Sequence, residues 1–172
     1  MFYDHGDAAL DPAVAATKGF FGFEVKNLNR LADIDILLAS PEGIAEVLIE
    51  IEERPSTPKK ILGDILAVLL CNRFAVRVAG QQRTFGVSPR TQLVVAGVLP
   101  DRGYRLRKIQ EVINPRLHQL EGLPDGVSPR NVHLVFNATI PTTTKKLEGL
   151  LGCWLPPSVA ETIEMPDDEP EP

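Results

Sequence analysis

Cysteine is nearly absent: Cys71 and Cys153 are the only two in 172 residues. So distant a pair supplies neither a thiolate metal set nor a disulfide framework, and a reducing, cytoplasmic setting is the expectation. No apolar run approaches the roughly 18 residues a membrane-spanning helix needs, so no membrane partner is expected. The opening segment MFYDHGDAALDP carries acids where a signal peptide carries lysine and arginine, which argues against secretion. Histidine is scarce as well. His5, His118 and His133 lack metal-ligand spacing, and His133 within NVHLVF reads as a packed strand residue. The glycines of GFFGF fit no phosphate-loop pattern, and no internal repeat is visible.

What is present is ordinary for one globular domain: 44% hydrophobic and 24% charged residues. The formal charge of −5 is unevenly placed. From Glu161 onward the chain carries six acids (Glu161, Glu164, Asp167, Asp168, Glu169 and Glu171) and no base. Residues 1–160 are therefore near neutral and are expected to form the domain, with 161–172 a disordered acidic tail. Between Arg73 and Arg130, ten bases face only Asp101, Glu111, Glu121 and Asp125. Such a basic stretch suits phosphate contact, and it equally suits a solvated surface.

Along the chain, DPAVAAT has a helix start at Asp11-Pro12. Three β-prone runs follow, GFFGFEVKN, ADIDILLAS and EVLIEIEE, with a turn at Pro41–Gly43, and they read as an antiparallel meander. Thr57-Pro58 then caps a helix over KKILGDILAVLLCNRF, whose Lys60 and Asp64 lie one turn apart. Phe74, Val76 and Val78 suggest a short strand, and GQQRTFGVSPR a loop. TQLVVAGVL is a near-continuous apolar run bounded by turn formers, as a strand buried on both faces should be. DRGYRLRKIQEVINPRL reads as an amphipathic helix ending near Asn114-Pro115, NVHLVFNATI as a last buried strand, and KKLEGLLGCWL as a short helix. A helix between two buried strands implies a right-handed parallel crossover, hence a mixed sheet with helices on both faces.

The chemistry-bearing candidates are Asp35, Glu50 and Glu52. Alternate residues of a strand share a face, so Glu50 and Glu52 project together. Pairing across the Pro41–Gly43 turn would bring Asp35 alongside. Carboxylates so grouped repel unless a cation lies between them, and a hard dication such as Mg²⁺ takes one or two carboxylates with waters. Acids alternating with aliphatics are also what a half-exposed strand presents to water.

The segment GFEVKNLNRLADIDILLASPEGIAEVLIEIEE resembles the core of the restriction-endonuclease-like, or PD-(D/E)xK, nucleases. It is especially similar to small Holliday-junction-resolvase-like members, in which an acid-I-D strand is followed by a hairpin partner ending E-x-K. Asp33-Ile34-Asp35 corresponds to the first element and Glu50-Ile51-Glu52 to the second. The tight match spans residues 19–53, and the later core elements extend the likeness to about residue 140.

The resemblance implies a three-layer α/β fold, a central mixed sheet flanked by helices. It implies Mg²⁺ (or Mn²⁺ in its place) held by Asp35, Glu50 and the Ile51 carbonyl, with Glu52 acting on the attacking water. DNA is the implied substrate, and a homodimer the implied assembly for cutting a duplex. The family's lysine is replaced by Glu52. Some restriction enzymes of this fold use E-x-E, and Lys60 or Lys59 on the next helix is an alternative source of the cation. A catalytically inactive domain of the same fold, serving DNA binding or assembly, stays open. Glu24-Val25-Lys26 is an E-x-K without a strand-borne partner acid. Arg102, Arg105, Arg107 and Lys108 suit either backbone phosphate or solvent. Cys153-Trp154 reads as a core or dimer contact.

Overall fold

The computed structural model describes residues 2–3, 17–22, 25–52, 57–99 and 103–154. The expected helix at Asp11, Glu24, Arg102 and the acidic tail lie outside the described residues.

Two sheets carry the fold. The larger is five-stranded and mixed, in the order β1 (Phe2–Tyr3), β4 (Ile36–Ala39), β5 (Ala45–Glu52), β8 (Gln92–Val98) and β9 (Val132–Asn137). β1, β4 and β5 pair antiparallel, whereas β5, β8 and β9 run parallel. The smaller is antiparallel: β3 (Arg30–Ile34), β2 (Thr17–Phe20), β6 (Arg73–Val78) and β7 (Gln81–Gly86).

The expected single meander is thus divided. The ADIDILLAS run is two strands that separate at Asp35, one in each sheet. Ile34 pairs with Thr17, while Ile36 pairs with Ile49, so Asp35 is the single residue of the crossing. The expected loop at GQQRTFGVSPR is also corrected: its first part is β7. Ala79 and Gly80 both take positive φ, 48° and 78°, which is what a two-residue hairpin turn matched to strand twist requires. Gln81 to Thr84 are exposed, so no apolar alternation marks the strand.

Helices cover both faces of the larger sheet. α1 (Pro58–Leu69) begins as expected, with Thr57 Oγ1 accepting from Lys60 N at 3.3 Å and Pro58 in the first turn. α2 (Tyr104–Arg107) runs through a π-helical stretch, Lys108–Ile113, into α3 (Asn114–Leu117). The expected stop at Asn114-Pro115 does not occur. The wider π register comes just before Pro115, where its ring would otherwise meet the preceding turn. α4 (Ile140–Gly152) is longer than expected.

One face of the sheet sends Leu37, Leu48, Leu93, Val95 and Phe136 against Ile61, Ile65 and Val68 of α1, Ile109 and Ile113, and Phe74 and Phe85 of the smaller sheet. The opposite face sends Leu38, Val47, Ile49, Val94, Ala96 and Val135 against Leu147, Leu150, Leu151 and Trp154 of the α4 segment. β8 is apolar on both faces because both faces are covered, as its sequence requires. Alternation along β5 then decides the site. Val47 and Ile49 belong to the α4 side; Leu48, Glu50 and Glu52 belong to the α1 side.

Candidate acidic site

The site forms where β4 and β5 meet the N-terminal half of α1. One step beyond the Ile36–Ile49 pair, the antiparallel register sets Asp35 alongside Glu50. Ile51 N donates to Asp35 Oδ2 at 2.6 Å, which ties the crossing between the sheets to β5. Glu52, two residues past Glu50 on the same face, is buried and reaches α1. There Lys60 Nζ donates to Glu52 Oε1 at 2.7 Å and to Asp64 Oδ2 at 3.0 Å. Lys60 therefore makes both contacts considered for it, one to the sheet and one along its own helix.

Glycine makes room for this arrangement. Gly97 lies opposite Glu52 in the parallel register. A Cβ on Gly97 would stand 3.0 Å from both Glu52 Cβ and Glu52 O, and 2.8 Å from the Phe136 ring.

Beside the acids is a cleft of about 540 Å³. Asn27, Arg30, Asp33, Glu50 and Asp64 supply its polar lining, and Leu31, Val68 and Val95 part of its apolar wall. Arg30 Nε donates to Asp33 Oδ1 at 3.0 Å, so the exposed Asp33 pairs with Arg30, apart from the Asp35–Ile51 contact.

The electrostatics are dominated by negative charge. Glu50 is pushed up to about 8, first by burial and then by the charges of Asp35, Glu52 and Asp64, with Lys60 opposing. Asp64 is also raised, by burial and by its contact with Glu52. Lys60 is held as a cation above its ordinary range, chiefly by Glu52. Four carboxylates thus crowd together, Lys60 bonds two of them, and Glu50 is held up to about 8.

Among the described residues no group of three or more His, Cys, Asp or Glu side chains stands ready to hold a metal. The expectation that Asp35, Glu50 and Glu52 converge within one ion's reach is not met as a trio. The physical reason is local: Glu52 is turned to Lys60 and Asp35 to the Ile51 amide. Sequence reasoning treated Asp64 only as a partner of Lys60 and overlooked Gly97. The i, i+4 spacing of Lys60 and Asp64 was the available signal for the former. For the latter, an isolated glycine within a strand marks a close approach.

Remaining candidates fall elsewhere. His133 is half-buried on the α4 side, bonded to Gln92 Oε1 at 2.9 Å, with its ring 4.8 Å from that of Trp154. That accounts for Trp154 as a core contact. Cys71 is buried and its thiol is pushed up to about 12, which leaves it inert. Arg107 pairs with Glu111, and Lys108 lies over the Tyr104 ring. Among the described residues no helix is long and apolar enough to cross a membrane.

No family model, no curated protein and no solved structure matches this chain.

Proposed function

We propose that this chain is a restriction-endonuclease-like core that hydrolyses phosphodiester bonds in DNA with the help of Mg²⁺ or Mn²⁺. The observation that carries this reading is the meeting of Asp35 and Glu50 at the crossing between the sheets, inside an acidic patch that Lys60 joins from α1. Supporting it are the mixed sheet with its antiparallel and parallel parts, and helices on both faces.

A hard dication suits the donors present. It needs only one or two carboxylates, with water and substrate oxygens filling the remaining positions. Glu50 is strained as an anion among three other acids, and a nearby dication would relieve that. Asp35, Glu50 and the Ile51 carbonyl would hold the ion, which when bound lowers the pKa of water and stabilises charge on phosphate.

The chain's own groups have separate tasks. Lys60 fixes the Glu52 carboxylate against α1 by donating to its Oε1. Glu52 then accepts hydrogen bonds from water and can take its proton. Asp64 holds the other side of Lys60. Arg30, at the cleft lining, can exchange its Asp33 partner for a phosphate oxygen.

The test is cleavage of single-stranded, duplex and branched DNA, with RNA in parallel, in Mg²⁺ and in Mn²⁺. Activity lost in both Asp35→Asn and Glu50→Gln, with the fold intact, is expected. Cleavage that persists in either variant overturns the assignment. A second reading rests on the absence of a ready ligand trio among the described residues. On that reading the chain is an inactive domain of this fold, serving DNA binding or assembly. It is favoured if DNA binds in a salt-dependent way, no metal supports cleavage, and Asp35→Asn binds equally well.

A further inference from the structure

The smaller sheet turns one face to the core and one away from it. A Cβ on Gly19 would stand 2.7 Å from Cys71 Sγ and from the Phe74 ring, so that residue of β2 faces inward. Its neighbour Lys18 projects outward, as does Arg77, which alternates with the core residue Val76 on β6. Lys18 pairs with Ala75, so Arg77 is its diagonal neighbour, with Cα atoms about 7–8 Å apart. Both line a groove of about 230 Å³, together with Phe20, Ala75, Gln82 and Asn27.

Neither cation is committed within the protein. Lys18 and Arg77 form no ion pair among the described residues. Asp33 lies opposite Lys18 in the β2–β3 register, and it is held by Arg30. Asn27 lines this groove and also the 540 Å³ cleft that reaches Glu50 and Asp64, so the two meet there.

We infer that groove and cleft form one path for an unpaired DNA strand, with phosphates on Lys18 and Arg77 and a base in the cleft. Two uncommitted cations side by side attract a polyanion. Beyond Asn27 the lining changes character: Leu31, Val68 and Val95 are apolar, and Glu50 and Asp64 are acids. A base is uncharged, with flat faces for the apolar wall and edge donors for carboxylates. A phosphate enters among those acids only with a cation beside it. Between the two regions, the Asn27 amide can donate to a phosphate or bond a base edge.

A paired strand does not suit this path. In B-DNA each backbone has its partner across a groove roughly 6 or 12 Å wide, and the bases are stacked between them. The cleft, between β3 on one side and α1 on the other, falls in the range of roughly 300–1,000 Å³ that takes one small molecule. A base reaches it only from outside a stack, which an unpaired strand offers most readily. The inference deepens the nuclease reading by naming the strand to be cut, and it rests on that reading for the choice of DNA. Binding without metal lets the two fail separately.

The experiment is fluorescence anisotropy of an end-labelled DNA single strand of about 12 nucleotides, a length that covers one such site. The same strand in a duplex is the comparison, with the full chain in EDTA at several salt concentrations. The single strand should bind about tenfold or more tighter than the duplex. Lys18→Ala and Arg77→Ala should each flatten the slope of log affinity against log salt by roughly 0.7, the share of one phosphate on a single strand. Lys145→Ala, exposed on α4 across the larger sheet, should change neither quantity. Ala67→Phe, which narrows the cleft, should weaken the single strand and leave the duplex as it was. Equal binding of single strand and duplex overturns the inference. So do unchanged slopes in both cation variants, an equal loss in Lys145→Ala, or no binding at low salt. A strand held in this manner and cut with no metal supports the inference and overturns the nuclease reading alone.

Discussion

Gly97 and Glu52 face each other across the β5–β8 register at the limit of close approach, since a Cβ on the glycine would lie 3.0 Å from Glu52 Cβ and from its carbonyl oxygen. Neither neighbour is the free end of a flexible chain, and the third contact is the buried Phe136 ring at 2.8 Å. Gly97→Ala should therefore overpack this point, at a cost of about 1–3 kcal/mol. It should also move Glu52 away from Lys60. Urea denaturation measures the first effect. If Glu52 acts on the attacking water, the same variant loses cleavage rate with little change in DNA affinity.

The Glu50 carboxyl makes stability depend on pH in a defined direction. Its folded value of about 8 lies above the ordinary 4.5. Between those values the folded chain holds a proton that the unfolded chain has released. Its contribution is thus present below pH 4.5 and falls as pH rises toward 8, at up to about 1.4 kcal/mol per pH unit. Glu50→Gln carries no such proton, so the difference between variant and wild type isolates the effect. In metal-free buffer the variant should gain on wild type steadily from pH 5 to pH 8 and level off above. Parallel stability curves would contradict the acidic patch.

Lys60 joins two elements that the chain brings together from eight residues apart, by bonds to Glu52 and Asp64. Removing it takes a hydrogen-bonded cation away from the buried Glu52 carboxylate. Because Lys60 is itself more than half exposed, water screens part of the loss, and Lys60→Ala should cost about 1–3 kcal/mol rather than the more usual cost of breaking a fully buried pair. The loss should be larger at pH 9 than at pH 5, where Glu50, raised to about 8, carries a proton and the patch is less negative. Lys60→Arg keeps the charge and should recover most of the stability. Chemical denaturation at the two pH values separates a charge role from a packing role.

The parts of the fold legible in the sequence were those in which local chemistry and tertiary demand agree. Thr57-Pro58 starts α1 because capping needs only those residues. TQLVVAGVL was readable because burial on both faces makes its run from Leu93 to Val98 free of polar side chains. The β7 strand was hidden because Gln81, Gln82, Arg83 and Thr84 face water, and because Ala79 adopts a positive φ that an alanine does not advertise. The division at Asp35 was hidden for another reason. Alternation specifies which side a residue faces and not which sheet its strand joins. In the site, the shared face of Glu50 and Glu52 followed from β periodicity. The turn of Glu52 toward Lys60, and the entry of Asp64, depend on how α1 packs, and no local pattern records that.

Metal linkage gives the most direct check on the proposed chemistry. If Asp35 and Glu50 take a dication, binding must displace the proton that Glu50 holds below pH 8. Stabilisation by millimolar Mg²⁺ or Mn²⁺ should then be small at pH 6 and larger at pH 8, with apparent affinity rising by up to about tenfold per pH unit in between. Thermal unfolding with and without metal at the two pH values measures this. Asp35→Asn should keep the fold and lose most of the metal-induced shift. Glu50→Gln should lose both the shift and its pH dependence. A metal response equal at pH 6 and pH 8, or retained in Glu50→Gln, would place the ion away from this pair of strands.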